Sequence, residues 1–324
     1  MTKKERLLRA FHNQPVDRIP MGFWYHFSPD EDKGRETVEE HLALYRDVDM
    51  DMIKVMCDGF FGYPNPGIEK ITCADDWFSL KPLGEDHPYI TKQVERARGV
   101  VEGVKGECCV FYNVFCPMSL MRLQTSYELI MDHLKENPEA VCHAFRVIGE
   151  DIKALIRRLI KEAGCEGIYY CVQNAEEFRF TAEEYRRLIT PAELEVLNYA
   201  NSLSENNILH CCGWAGDKNR VEVWQDYPAR VVNWAVYVEN MTLPEGKKFF
   251  GCDCVLGGFD NRPEGVLYSG TREEIDAEAG RVIAEAGMTG VIIGADCTMP
   301  SDIDHERLRW LRASLDRIME ESRS

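Results

Sequence analysis

Eight short apolar runs recur along the chain, near residues 21, 52, 108, 167, 208, 231, 249 and 290, and helical stretches separate most of them. Runs this continuous are strands covered on both faces, the condition of a parallel sheet dressed with helices. Eight such strands alternating with helices are what a (β/α)8 TIM-type barrel of the α/β class requires. The rival, a doubly wound open sheet, would carry a glycine-rich dinucleotide loop after its first strand, and none is present. Helices are predicted over 2–13, 36–46, 138–163, 182–188, 191–203, 271–286 and 303–320. In the long one, Ile148, Ile152, Leu155, Ile156 and Leu159 keep helical spacing with Arg157, Arg158 and Lys161 opposite. Residues 58–105 give no clear period, and 89–103 read as mixed. With no repeat, low-complexity tract or linker, residues 1–324 read as a single barrel domain.

The net charge of −17 argues against a nucleic-acid or anionic-membrane partner. No apolar run approaches the ~18 residues that span a bilayer. Met1-Thr2-Lys3-Lys4-Glu5-Arg6 has no apolar stretch behind it and does not read as a signal peptide. The thirteen cysteines do not form a disulfide framework, since Cys108, Cys109, Cys171 and Cys211 sit inside apolar runs. Such thiol usage points to a reducing, cytoplasmic setting.

The run at 208 ends in His210-Cys211-Cys212. Residues i and i+2 of a strand share a face, so His210 and Cys212 aim together while Cys211 aims away. One imidazole and one thiolate are half of a tetrahedral zinc site. Cys297 ends the run at 290 and would face the same barrel mouth, where active sites of this fold sit. Buried cysteines are also ordinary core residues. Cys252 and Cys254 form a second i, i+2 pair and could join the metal. With His210 and Cys212 they would make a closed structural zinc in a non-catalytic binding barrel. The other strand ends carry Trp24, Tyr25 and His26; Cys57 and Asp58; Phe115 and Cys116; Gln173 and Asn174; and Trp234.

Several segments resemble the uroporphyrinogen decarboxylase superfamily: 4–20 leading into Val-Asp-Arg-Ile-Pro, Val232-Asn233-Trp234, Gly257-Gly258-Phe259-Asp260, Gly270-Thr271-Arg272-Glu273-Glu274, and Gly294 to Pro300. The resemblance covers nearly the whole chain and implies a TIM-type barrel. True decarboxylases carry an Arg-Gln-Ala-Gly-Arg segment after the first strand and end the last strand in Gly-His-Gly. Here those places read Gly22-Phe23-Trp24-Tyr25-His26-Phe27 and Ala295-Asp296-Cys297.

The chain is more similar to the zinc-dependent corrinoid methyltransferase branch, whose signature implies His210, Cys212 and Cys297 as metal ligands. Two activities follow from the resemblance. One is O-demethylation, moving a methyl group from a methoxylated, aromatic compound to the Co(I) corrinoid of a separate protein. The other is a methylcobalamin:thiol (coenzyme M-type) transfer. The chain has no Asp-x-His-x-x-Gly cobalamin motif, so a corrinoid protein is expected as partner. His26 is a candidate proton donor, with Gln173 and Glu177 as further catalytic candidates. Trp24, Tyr25, Phe115, Tyr170, Asn174 and Trp234 are candidates for the substrate lining.

Overall fold

The structure, a computed structural model, describes residues 1–27 and 34–323. Seven strands form one parallel sheet in chain order: β1 (Met52–Val55), β2 (Cys109–Phe115), β3 (Gly167–Val172), β4 (Ile208–Cys211), β5 (Val231–Trp234), β6 (Cys254–Phe259) and β7 (Val291–Ala295). An eighth stave at residues 20–25 closes the sheet into the expected (β/α)8 barrel. Gly22 N donates to Ile293 O and Ile293 N to Pro20 O, both at 2.9 Å, on the β7 side. On the β1 side Asp51 N donates to Met21 O at 2.8 Å, but the return bond runs from Met21 N to the Asp51 carboxylate at 3.0 Å. The stave is irregular because Pro20 has no N–H to give a ladder. At Gly22, a Cβ would lie 2.6 Å from Cγ of Met52.

Side chains alternate strictly. Met52, Cys109, Phe111, Tyr169, Ile208, Val231, Cys254, Leu256 and Ile292 fill the barrel. Their neighbours Ile53, Val110, Tyr170, Leu209, Val232, Val255 and Ile293 pack outward under the helices. The N-terminal helix Lys3–Phe11, capped by Thr2, plugs the end where the strands begin. Its Leu7, Ala10 and Phe11 are buried in the interior cluster, and Phe11 stacks on Phe111 with centroids 5.7 Å apart. The chemistry is thereby left to the opposite end. Asp51 ties this base together, accepting from Arg6 Nη1 at 2.7 Å and from Arg312 Nη1 of the final helix, His305–Glu321, at 3.3 Å. No helix among the described residues is long and apolar enough to cross a membrane.

Two expectations are corrected. Residues 89–103 lie in one helix, Pro88–Val104, with Ile90, Val94, Ala97 and Val100 buried; the equally buried Gln93 and Arg96 hide its apolar stripe. Residues 249–252 are no strand. Phe249 and Phe250 end the helix Leu243–Phe250, which starts in a Thr242/Glu245 capping box and stops at Gly251 with φ of 60°. The strand begins at Cys254, so Cys252 and Cys254 lie at the plugged end of the barrel, across from His210 and Cys297. They cannot join the candidate metal site.

Candidate metal centre at the barrel mouth

Parallel pairing sets Cys171 of β3 beside His210 of β4, and His210 beside Asn233 of β5. All three point inward, forming one row across three strands. Cys212 follows one step beyond β4 on the same face, and Cys297 follows β7. Sγ of Cys297 lies 3.6 Å from Nε2 of His210 and 3.6 Å from Sγ of Cys212. Zinc bonds of about 2.3 Å to sulfur and 2.0–2.1 Å to nitrogen give tetrahedral edges of roughly 3.8 Å (S–S) and 3.5 Å (S–N). These donors therefore fit the ion.

Asn233 fixes which imidazole nitrogen is available. Its Nδ2 donates to Leu256 O at 2.8 Å and to Ala295 O at 3.2 Å. Oδ1 is thereby turned to the barrel, where it accepts from Tyr169 OH at 2.8 Å and faces Nδ1 of His210 at 2.5 Å. Nδ1 must then carry the proton, which leaves the Nε2 lone pair toward Cys297. Asn233→Ala should lower zinc affinity by about 10–100-fold, measured by chelator competition. Unchanged retention would show that Asn233 does not orient the imidazole.

The sequence did not single out Cys171, yet its sulfur and the ligand atoms of His210 and Cys212 lie within 4.8 Å of one another. Without a cation these thiols hold their protons. The Cys212 thiol is raised by its hydrogen bond to Cys171 and by burial. Cys297 is pushed up to about 12, first by Cys212 and then by burial. Burial raises Cys171. A bound divalent ion reverses that preference, because a coordinated thiol is deprotonated.

Around this cluster the structure sorts the other candidates. Gln173 is buried, and its Oε1 accepts from Ser119 Oγ at 2.9 Å and from Arg122 Nη2 at 3.3 Å. Arg122 lies 5.0 Å from the centroid of the half-exposed Trp214 and 5.1 Å from that of Tyr127. Asn174, at φ of 73°, is held by Tyr127 OH at 2.7 Å and donates to Ser119 Oγ at 3.1 Å. His26 meets the buried Asp58 at 2.6 Å and stands edge-on to Phe61, which neighbours Phe115 at 6.0 Å.

Other candidates lie elsewhere. Tyr170 and Trp234 point outward, bonded to Glu193 O and Met241 O, because their inward neighbours are Tyr169 and Asn233. Tyr25 is bonded to His305 at 3.0 Å, on the helix side. Trp24 is buried inside the barrel against Tyr169. Glu177 is exposed on the loop paired with Lys218.

A closed parallel barrel with an imidazole and thiols converging at its mouth defines the class as an α/β-barrel protein. Within that class the chain belongs to the uroporphyrinogen decarboxylase (URO-D) family, whose pattern matches residues 62–318. A methyltransferase from Methanosarcina mazei is similar in structure, at a TM-score of 0.78 and 16% identity, covering 98% of this chain and 99% of that one. So is a B12-independent methionine synthase from Shewanella sp. W3-18-1, at 0.55 and 15%, covering 94% and 96%. A putative vitamin-B12 independent methionine synthase from Listeria monocytogenes follows at 0.51 and 12%, covering 93% and 99%. At these identities the likeness is one of fold. Comparison with curated protein sequences finds no match.

Proposed function

We propose that this chain is a zinc-dependent methyltransferase that moves a methyl group from a small methoxylated aromatic compound to a corrinoid on a separate protein. The observation that carries the reading is the His210–Cys212–Cys297 arrangement, with edges that suit zinc and an imidazole tautomer fixed by Asn233. Bound there, zinc would supply Lewis acidity toward the oxygen that departs from the methyl carbon. The chain's own residues do the rest. Ser119 and Arg122 hold the Gln173 carbonyl in place. His26, oriented by Asp58, can deliver a proton to the departing oxygen. Phe115 and Phe61 offer flat apolar surface to an aromatic ring.

The test mixes zinc-loaded protein, a Co(I) corrinoid protein and a panel of methoxylated aromatics, and follows the methylated-cobalt spectrum. Appearance of that spectrum is the expected result. No response to any donor, with rapid loss of the methyl-cobalt band from methylcobalamin plus a small thiol, would instead establish a thiol methyltransferase. Uroporphyrinogen should pass through unchanged, because the arginine segment and Gly-His-Gly end of true decarboxylases are replaced by Gly22-Phe23-Trp24-Tyr25-His26-Phe27 and Ala295-Asp296-Cys297.

A further inference from the structure

We infer that Arg122 receives a carboxylate carried by the aromatic ring of the methyl donor, which makes methoxylated aryl carboxylates the substrate class of this barrel. The inference rests on the donor reading proposed above and adds to it a specificity-determining residue.

Arg122 is a cation without an anion. It lies in the last turn of the short helix Pro117–Gln124, on the connection that leaves β2 at the mouth. No carboxylate among the described residues forms an ion pair with it. The one hydrogen bond it makes among them runs from Nη2 to Oε1 of Gln173, at 3.3 Å. Its Nε is buried without a partner, a costly state for a charged donor. The neighbouring Arg179 differs, since its Nε meets Oε2 of the buried Glu176 at 2.8 Å. Two rings hold the Arg122 guanidinium, with centroids 5.1 Å away for Tyr127 and 5.0 Å for the half-exposed Trp214. A planar fork fixed in this way loses little freedom when it takes a carboxylate.

Strand pairing ties this cation to the reacting end. Cys212 N donates to Val172 O at 3.0 Å, which carries the β3–β4 pairing one step past Val172–Cys211 and sets Gln173 beside Cys212. Cys212, Gln173 and Arg122 are thus three neighbouring side chains in a run. An aromatic donor with its ether oxygen at the Cys212 end offers its far substituent to the Arg122 end. A single free guanidinium next to a neutral amide matches a monoanion, and Glu176 nearby disfavours a second negative charge.

Calorimetric binding to the zinc-loaded protein tests this with no cobalt present, using 4-methoxybenzoate and its neutral counterpart 4-methoxybenzamide. Wild-type protein should bind the acid at least about tenfold more tightly, the lower end for hydrogen bonds to charged groups. Arg122→Gln should weaken the acid by about 10–100-fold and leave the amide within about twofold. Arg122→Lys keeps the charge but not the fork, and should recover part of the preference. Equal wild-type affinity for the two compounds, or binding of neither, overturns the inference without recourse to any variant. So does a preference for the acid that survives in folded Arg122→Gln. The donor reading is judged separately. Tight Arg122-dependent binding of methoxylated acids that never methylate Co(I) would refute methyl transfer and keep the carboxylate site. Methylation by neutral methoxyarenes, undiminished in Arg122→Gln and no slower than by acids, would do the reverse.

Discussion

Cys212→Ser is expected to strip the protein of most of its zinc and to slow methyl transfer by at least about a hundredfold, because Lewis-acid stabilisation is worth several kcal/mol and each 1.36 kcal/mol is a factor of ten. Cys212 is the sulfur to remove because it is shared. It lies 3.6 Å from Cys297 and within 4.8 Å of Cys171. A variant lacking Cys212 keeps only His210 and Cys297 of the three proposed ligands. The defect should fall on the chemical step, so kcat drops even where the donor still binds. Donors whose phenol is more acidic should suffer less, since their oxygen leaves with less help. Zinc analysis and methylated-cobalt spectra on the same preparation give the answer, with Cys254→Ser at the plugged end as a control. Full zinc occupancy in Cys212→Ser would refute the centre.

The second large effect concerns stability. Asp51→Ala should lower the unfolding free energy by about 3 kcal/mol, the lower end of the range for breaking a buried ion pair. Asp51 is fully buried, and its carboxylate holds Arg6 of the first helix, Arg312 of the last and the backbone N–H of Met21 in the closing stave. Arg6 keeps Asp17 and Arg312 keeps Asp316, which is why the loss stays at that end. Asp51→Asn retains one acceptor and should lose less. Urea unfolding measures the difference, and an Asp51→Ala midpoint equal to wild type would show that the barrel closes without this residue.

The architecture was legible because continuous apolar strands between helices have few homes. His210, Cys212 and Cys297 were legible because strand alternation and the location of active sites in this fold brought them to one mouth. Cys171 and Asn233 were not, since what distinguishes them is the register Cys171–His210–Asn233. Register between parallel strands is set by packing across the barrel and leaves no mark in either strand alone. Parity could have done more: placing Gln173 inward on β3 also turns Tyr169 and Cys171 inward and Tyr170 outward. The strand misplaced onto 249–252 came from reading the Phe249–Phe250 pair as apolar. The Thr242/Glu245 box and Gly251, both visible in the sequence, mark that stretch as a helix and its end.

The row across β3, β4 and β5 also bears on how such a protein could acquire a new methyl donor. Cys171, His210 and Asn233 are set by strand pairing, so a change there disturbs the sheet as well as the proposed metal centre. Arg122, Tyr127 and Trp214 lie on the connections beyond the strands, where substitution leaves the ladder untouched. For the proposed methyl transfer, directed evolution toward a different methoxylated compound should draw its successful variants from those connections.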